Sequence, residues 1–411
     1  MKKRKIFDKL MEQKNSKKIS LVLGARQVGK TTVLKELCKS FNGQKKALFL
    51  DLDIFTNFEK VSSFENLVNT LKLAGYQENQ KDFFYLFLDE FQRYKDLSIV
   101  MKNVYDSFDN IKIYASGSSS IMIKDQIQES LAGRKIINIL YPLDFEEFLW
   151  FKELEVDVKK TKKLSGEGLH KSASALLELL KEFIIFGGYP EVVLQKAKKG
   201  KIEILEGIFD LYVKKDLVEY LKIGKILQVK MLIESLAINN GKKIKYDELA
   251  ALCSLKYKEV KDYIEMLQET YIIYVLRPFF SNKNKELVKI PKVYFIDNGV
   301  RNFFINNFNP VKLRDDAGFL FEGYVLSELL KSGEASIKFW QDKNNHEVDV
   351  VLDKAILEIK FKTSLKREDF IGLNAFAKQY GDAKRPHLIN LGVQKKRGKI
   401  NLKLPFDLDI V

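Results

Sequence analysis

Residues 24–32 run Gly24, Ala25, Arg26, Gln27, Val28, Gly29, Lys30, Thr31, Thr32, and the first eight satisfy the pattern G-x-x-x-x-G-K-[ST]. An apolar run at 19–23 precedes them, and a stretch with helical spacing follows over 32–40. Strand, glycine-bounded loop and helix in that order leave few folds open, because such a loop works where a buried strand of a parallel sheet hands over to a helix. The glycines let successive backbone N–H groups turn inward around phosphate oxygens, at the positive end of the helix. Lys30 then supplies charge for the β and γ phosphates and Thr31 a hydroxyl for Mg²⁺. The plain alternative, a glycine turn without a ligand, is disfavoured by the strand and helix on either side.

A second apolar run, Phe83-Phe-Tyr-Leu-Phe-Leu88, stops abruptly at Asp89 and Glu90. Uninterrupted apolar strands belong inside parallel sheets covered on both faces, and acids at their carboxyl ends stand at the ligand-binding edge. Asp89 is suited to hold Mg²⁺ through its waters, and Glu90 to orient and deprotonate an attacking water. A third strand, 111–115, leads into Ser116-Gly-Ser-Ser-Ser120, which puts hydroxyls where a γ-phosphate sensor would stand. Arg134 lies just ahead of another apolar strand, 136–140. Two readings of it stay open: contact with the γ-phosphate of a neighbouring subunit, or a solvated or structurally paired arginine.

In order and spacing, 24–32, Asp89-Glu-Phe-Gln92, Ser116-Gly-Ser-Ser119 and Leu131-Ala-Gly-Arg134 resemble the successive motifs of the AAA+ ATPases, in the bacterial and archaeal branch related to the signal-transducing STAND ATPases. Gly187-Gly-Tyr-Pro190 is similar to the glycine-x-proline turn of that family's helical lid, where the lid faces the nucleotide. The resemblance implies ATP or ADP as ligand, Mg²⁺ as cofactor, Lys30, Thr31, Asp89 and Glu90 in the roles above, Ser118 as sensor, and Arg134 as arginine finger in a homo-oligomer. Gln92 and Arg93 also match a signature of the family.

A chain of 411 residues exceeds what one core usually serves, and 46% hydrophobic with 30% charged residues is an ordinary globular mixture. The start, Met1-Lys-Lys-Arg-Lys-Ile, lacks the apolar stretch of a signal peptide, and no run reaches the roughly 18 apolar residues of a membrane span. Cys38 and Cys253 suit a reducing, cytoplasmic setting as buried small side chains, and His170, His346 and His387 are too scattered to form a metal site recognisable in sequence. The net charge of +15 would help a nucleic-acid partner, but lysines are spread along the chain among acids.

Composition shifts divide the chain into an α/β nucleotide-binding domain with a parallel sheet (1–145), a helical lid (146–227), a winged-helix domain (228–300) and a C-terminal α/β domain (301–411). Residues 141–148 start a helix from an acidic first turn, as the macrodipole favours. The lysine-rich stretch 152–172 reads as a loop, and 173–223 as helical, broken at Gly187. In the winged-helix region a helix ends at Ile238, Gly241 turns the chain, a short helix spans 246–252, a longer one 257–269, and a strand covers 271–276. Tyr257, Val260, Ile264 and Leu267 fall on one face of the longer helix, leaving Lys256, Lys258, Lys261, Glu259, Asp262 and Glu265 outward. Mixed charge makes that helix a poor reader of a DNA groove, so DNA contact and a protein-contact or spacer role both stay open.

The last hundred residues hold a second constellation. Two apolar-rich strands, 346–352 and 355–360, are separated by Asp353-Lys354, the length of a tight hairpin. Counting back from Leu352 opposite Ala355 sets Asp349 opposite Glu358, with Lys360 on the same face. Facing carboxylates cost stability unless positive charge lies between them, so a Mg²⁺ site beside a lysine is the economical expectation. With the upstream helical acid Glu322, Asp349 and Glu358-x-Lys360 resemble the PD-(D/E)xK nuclease core; Val348 stands where that pattern usually has proline. The resemblance implies a restriction-endonuclease-like domain, acting on DNA or kept for contact with a protein partner.

Overall fold

The computed structural model describes residues 2–41, 46–94, 96–118, 130–154, 167–212, 224–334, 336–392 and 394–408. The chain forms two compact units, one of residues 1–143 with 269–271, the other of residues 144–268 with 272–411.

Five strands, β1 (Ile19–Gly24), β2 (Ala47–Asp51), β3 (Phe84–Asp89), β4 (Ile111–Ser118) and β5 (Lys135–Ile139), make the sheet of the first unit in the order β2-β3-β4-β1-β5, every pair parallel. Both β1 and β3 are almost wholly buried, as their unbroken apolar runs require. Leu21, Leu23, Leu86, Leu88, Ile113 and Ala115 form the layer under the helices Phe64–Leu73 and Leu97–Ser107. β4, expected over 111–115, runs three residues further, to Ser118, which pairs with Gly24. Ser119 and Ser120 lie outside the described residues, as does the side chain of Ser118.

The second unit begins with the helix Phe145–Phe151, closed by a capping box in which Asp144 accepts from the Glu147 amide at 2.8 Å. Of the expected loop 152–172, residues 155–166 lie outside the described residues and 167 already opens the helix Glu167–Phe186. The helices Pro190–Leu194 and Lys198–Leu211 follow, and residues 213–223 again lie outside the described part. The three helices expected in 228–269 are present as Ile226–Ile238, Tyr246–Leu252 and Tyr257–Glu269. On the last, Val260, Ile264 and Leu267 are buried, whereas Tyr257 is 43% exposed, with the Lys261 ammonium 4.6 Å from its ring centre.

Eight strands make one mixed sheet here: β6 (Ile273–Pro278), β7 (Lys292–Phe295), β8 (Lys338–Gln341), β9 (Glu347–Val351), β10 (Ala355–Ile359), β11 (Arg385–Ile389), β12 (Lys395–Arg397) and β13 (Ile400–Lys403), in the order β12-β13-β11-β10-β9-β8-β6-β7. Arg277 and Pro278 of β6 pair with Lys338 and Phe339 of β8, so the expected winged-helix and C-terminal domains share a sheet. The expected lid belongs to the same unit.

The turn Gly187-Gly188-Tyr189-Pro190 is fastened to Asp297, whose carboxylate accepts from the Gly188 amide at 2.7 Å and caps the helix Asn298–Phe304 through the Val300 amide at 3.1 Å. Asp297 is the partner found for a turn whose family resemblance pointed to nucleotide. Burial pushes its carboxyl up, against these amide donors. A Cβ at Gly187 would stand 2.0 Å from Asp297 Oδ1, and the backbone there has φ +75°. Gly187→Ala is therefore expected to destabilise the second unit by about 2 kcal/mol or more, read as a lowered denaturant midpoint; a midpoint equal to wild type would contradict this packing.

Candidate functional site

Five parallel strands bring their carboxyl ends to one edge, and the first candidate site stands there. Between β1 and the helix Lys30–Phe41, Gln27 at φ 59° and Gly29 at φ 97° turn the backbone of the loop. Such left-handed positions aim consecutive N–H groups into one concavity. Lys30 is buried, and its Nζ donates to the carbonyls of Gly24 at 3.1 Å and Ala25 at 2.8 Å. The loop is tied from behind by Arg4, also buried, which donates to Val28 O at 2.8 Å and Tyr141 O at 2.9 Å. Sequence reasoning passed over Arg4 as part of a basic start, because its partners lie 24 and 137 residues away.

Asp89 is 1% exposed at the end of β3. Burial pushes its carboxyl up, while hydrogen bonds from Ser116 and Thr31 work the other way and the charges of Glu90 and Asp51 add to the rise. The Thr31 hydroxyl and the Asp89 carboxylate thus meet, as binding of a hard cation beside a phosphate requires. Two members of this group were missed. Asp51 ends β2 directly beside Asp89, and its signal was present in the apolar run 47–50 stopping at an acid. Ser116 is the described β4 hydroxyl that reaches Asp89.

Glu90 follows in the left-handed region, φ 55° and ψ 43°, a conformation that costs a non-glycine residue about 1 kcal/mol or more. Its carboxylate accepts from the Gln92 side-chain amide. A Cβ at Gly117 would stand 2.7 Å from Gln92 Oε1, so the end of β4 is packed directly against this turn. Arg93 pairs with Asp53 at 2.5 Å. Arg134 forms a two-pronged pair with Asp106, at 2.7 and 3.0 Å, which matches the structurally paired reading of this residue.

The second candidate site lies in the second unit. Hairpin register follows the count as far as the ladder runs, with Ile356 opposite Val351 and Leu357 opposite Val350. Lys360 Nζ stands 2.5 Å from Glu358 Oε1 and 3.8 Å from Asp349 Oδ2, and Asp349 also accepts from the Ile359 amide at 2.7 Å. Glu322, from the helix Ala317–Lys331, accepts from the Tyr294 hydroxyl at 2.9 Å. Sequence reasoning missed β7, which adds Lys292, paired with Glu347 and held above the ordinary ammonium range by Glu347, Glu322 and Asp349 against its burial.

Four carboxylates, Glu322, Glu347, Asp349 and Glu358, thus face two ammoniums, Lys292 and Lys360, leaving two negative charges uncompensated when all are ionised. The strain shows in the acids: burial and then Asp349 push Glu322 up to about 8 and Glu358 well above its ordinary range. Glu358 Oε2 is buried with no hydrogen-bond partner. A divalent cation fits this charge deficit and this orphaned oxygen. As the side chains stand, with Lys360 between the two strand acids, no three His, Cys, Asp or Glu groups among the described residues converge on one point.

Residues 16–149 match the family model described as an AAA domain, while 177–311 and 317–406 match two models each described as a domain of unknown function. The first unit therefore carries an AAA-type ATPase domain. An uncharacterized protein of Methanocaldococcus jannaschii is 29% identical over 401 residues, covering 93% of this chain and 83% of that one. Another, of Haemophilus influenzae, is 24% identical across 80% of this chain and 78% of its own. A Walker-type ATPase of Pyrococcus abyssi aligns with 74% of this chain and 96% of that one, at TM-score 0.49 and 16% identity. Among the described residues no helix is long and apolar enough to cross a membrane.

The raised Glu322 gives a pH signature. A carboxyl of ordinary value 4.5 raised to about 8 on folding binds its proton more tightly in the folded state, so its stabilising effect is complete below 4.5 and is lost as pH rises through 8. Metal-free protein should lose on the order of 3 °C or more of melting temperature across that window, and Glu322→Gln should flatten the slope. Mg²⁺ or Mn²⁺ added at pH 8 should restore the loss in wild type and not in Asp349→Ala. A profile unchanged by Glu322→Gln would contradict the assignment.

Proposed function

We propose that the protein hydrolyses Mg-ATP and that its nucleotide state controls a C-terminal nuclease-like unit acting on nucleic acid. The observation that carries the reading is the presence, in one chain, of a phosphate loop with Thr31 joined to Asp89 and a buried acid–lysine cluster drawn from β7, β9, β10 and the helix Ala317–Lys331.

Lys30 exchanges its loop carbonyls for β and γ phosphate oxygens when nucleotide binds, and Thr31 with Asp89 would hold Mg²⁺, which supplies charge neutralisation for phosphoryl transfer. Glu90, one residue beyond the metal acid and held by Gln92, orients the attacking water and takes its proton at the carboxylate. Ser116 fixes the Asp89 rotamer; Ser118 is proposed as the γ-phosphate sensor. In the second unit Glu322, Asp349 and Glu358 would hold a divalent cation that activates water against a phosphodiester, and Lys360, released from Glu358, steadies the leaving charge.

A second reading is favoured by the Lys360 ammonium sitting between the two strand acids: a nucleotide-dependent switch of the STAND type, with an inactive nuclease-like unit that docks a protein partner. Both readings require Lys30→Ala to abolish ATP binding, measured by titration of a fluorescent ATP analogue. The nuclease reading further expects Mg²⁺- or Mn²⁺-dependent nicking of a plasmid by wild type, reduced at least a hundredfold in Asp349→Ala. No nicking by wild type selects the switch, and equal nicking by the two proteins contradicts the assignment of Asp349.

A further inference from the structure

One cleft of the second unit has a composition that the acid–lysine cluster does not account for. It is open, with a volume of about 980 Å³, and lies between the β6–β7 connection and the turn from β8 to β9. Lys243, Lys289 and Lys343 line it with Phe280 and Tyr380, all three lysines being exposed and both rings partly so.

Asp342 is the single carboxylate among the described lining residues, and its charge is consumed locally. It accepts from the Asn344 amide at 2.8 Å, the His346 amide at 2.9 Å and His346 Nδ1 at 2.8 Å. No carboxylate partner of Lys289 or Lys343 is found among the described residues. Lysines are common in this chain, so their number decides nothing; what distinguishes the cleft is that exposed lysines without a carboxylate partner share its lining with aromatic rings.

The aromatic floor is firm. Tyr380 packs on Phe376 with ring centres 4.7 Å apart and on Phe279 at 5.5 Å, and Trp340 joins the group at 5.3 Å from Phe376. Lys243 donates to Gln341 and lies 5.8 Å from the Phe339 ring centre. The cleft also adjoins the acid–lysine cluster: Gln341 faces Glu347 across the β8–β9 ladder, and Glu347 is the partner of Lys292.

We infer that this cleft is the binding site for single-stranded nucleic acid, with Lys243, Lys289 and Lys343 on phosphates and Tyr380 and Phe280 offering ring faces to bases. Ammonium groups along a groove recognise the backbone without regard to sequence, and exposed rings favour bases that are not already stacked in a duplex. An acidic polypeptide would use the charge and leave the rings idle. The site rests on the nucleic-acid reading proposed above, and supplies it with an approach to Asp349 and Glu358.

The test is fluorescence anisotropy of a labelled oligothymidine and of a matched duplex with the full chain, without divalent metal, over a range of salt. Lys289→Ala combined with Lys343→Ala should weaken single-strand binding about tenfold and lower the slope of log affinity against log salt by about 1.4, from roughly 0.7 per phosphate contact. Tyr380→Leu should weaken it about fivefold or more at an unchanged slope, with Tyr380→Phe equal to wild type. Affinity and slope unchanged in the lysine variant overturn the cleft, as does competition by polyglutamate equal to that of unlabelled oligothymidine. Plasmid nicking keeps the two claims apart. If nicking is lost in Asp349→Ala while the lysine variant binds normally, the cleft alone is wrong. If binding is lost in the lysine variant while Asp349→Ala nicks like wild type, the cleft stands and the nuclease assignment of the acids is wrong.

Discussion

Burial of ionisable carboxylates against hydroxyl and ammonium donors is the constraint on which both candidate sites depend. Asp89 is 1% exposed, and what makes such a position tolerable is that Ser116 and Thr31 both turn hydroxyls toward it. That requirement sets the order of the sheet around it. Only with β4 beside β3 does Ser116 come level with Asp89, and only with β1 beside β4 does the phosphate loop open at the same edge. The left-handed backbone at Glu90 follows, since the chain must leave β3 sharply while the Phe91–Arg93 turn packs on Gly117.

The second unit applies the same physics with charge in place of hydroxyls. Glu322, Glu347, Asp349 and Glu358 outnumber Lys292 and Lys360, and the imbalance is borne by raised carboxyls and one unpartnered oxygen. A hydrophobic replacement of the whole group would be expected to be as stable or more so, so an unbalanced cluster points to a ligand rather than to the fold. The β6–β7 hairpin belongs to this arrangement because β7 carries Lys292 and Tyr294, which explains why the sheet runs unbroken past residue 300.

What could be read from sequence was whatever a short count reaches. The loop 24–32 is legible because its chemistry lies within nine consecutive residues, and the start of the hairpin register because two intervening residues fix the pairings next to them. The short helices around Gly241 were legible from spacing, although Tyr257 turned outward to meet Lys261. Contacts of long reach were not. Arg4 under the loop, Asp297 on the Gly187 turn, and Arg277 of β6 beside Lys338 are each set by tertiary packing that no local pattern encodes. Ser116 was obscured by its own neighbours, because five small residues in a row give no sign of which one faces the acid until β4 is seen to continue to Ser118.

The most direct measurement is steady-state ATP hydrolysis by the full chain with Mg²⁺, with and without single-stranded and duplex DNA, taking Glu90→Gln as the blank. The account predicts turnover that falls at least a hundredfold in Glu90→Gln and rises several-fold with DNA. Turnover equal in the two proteins would contradict the phosphate-loop mechanism, and a rate indifferent to DNA would contradict its coupling to nucleic acid.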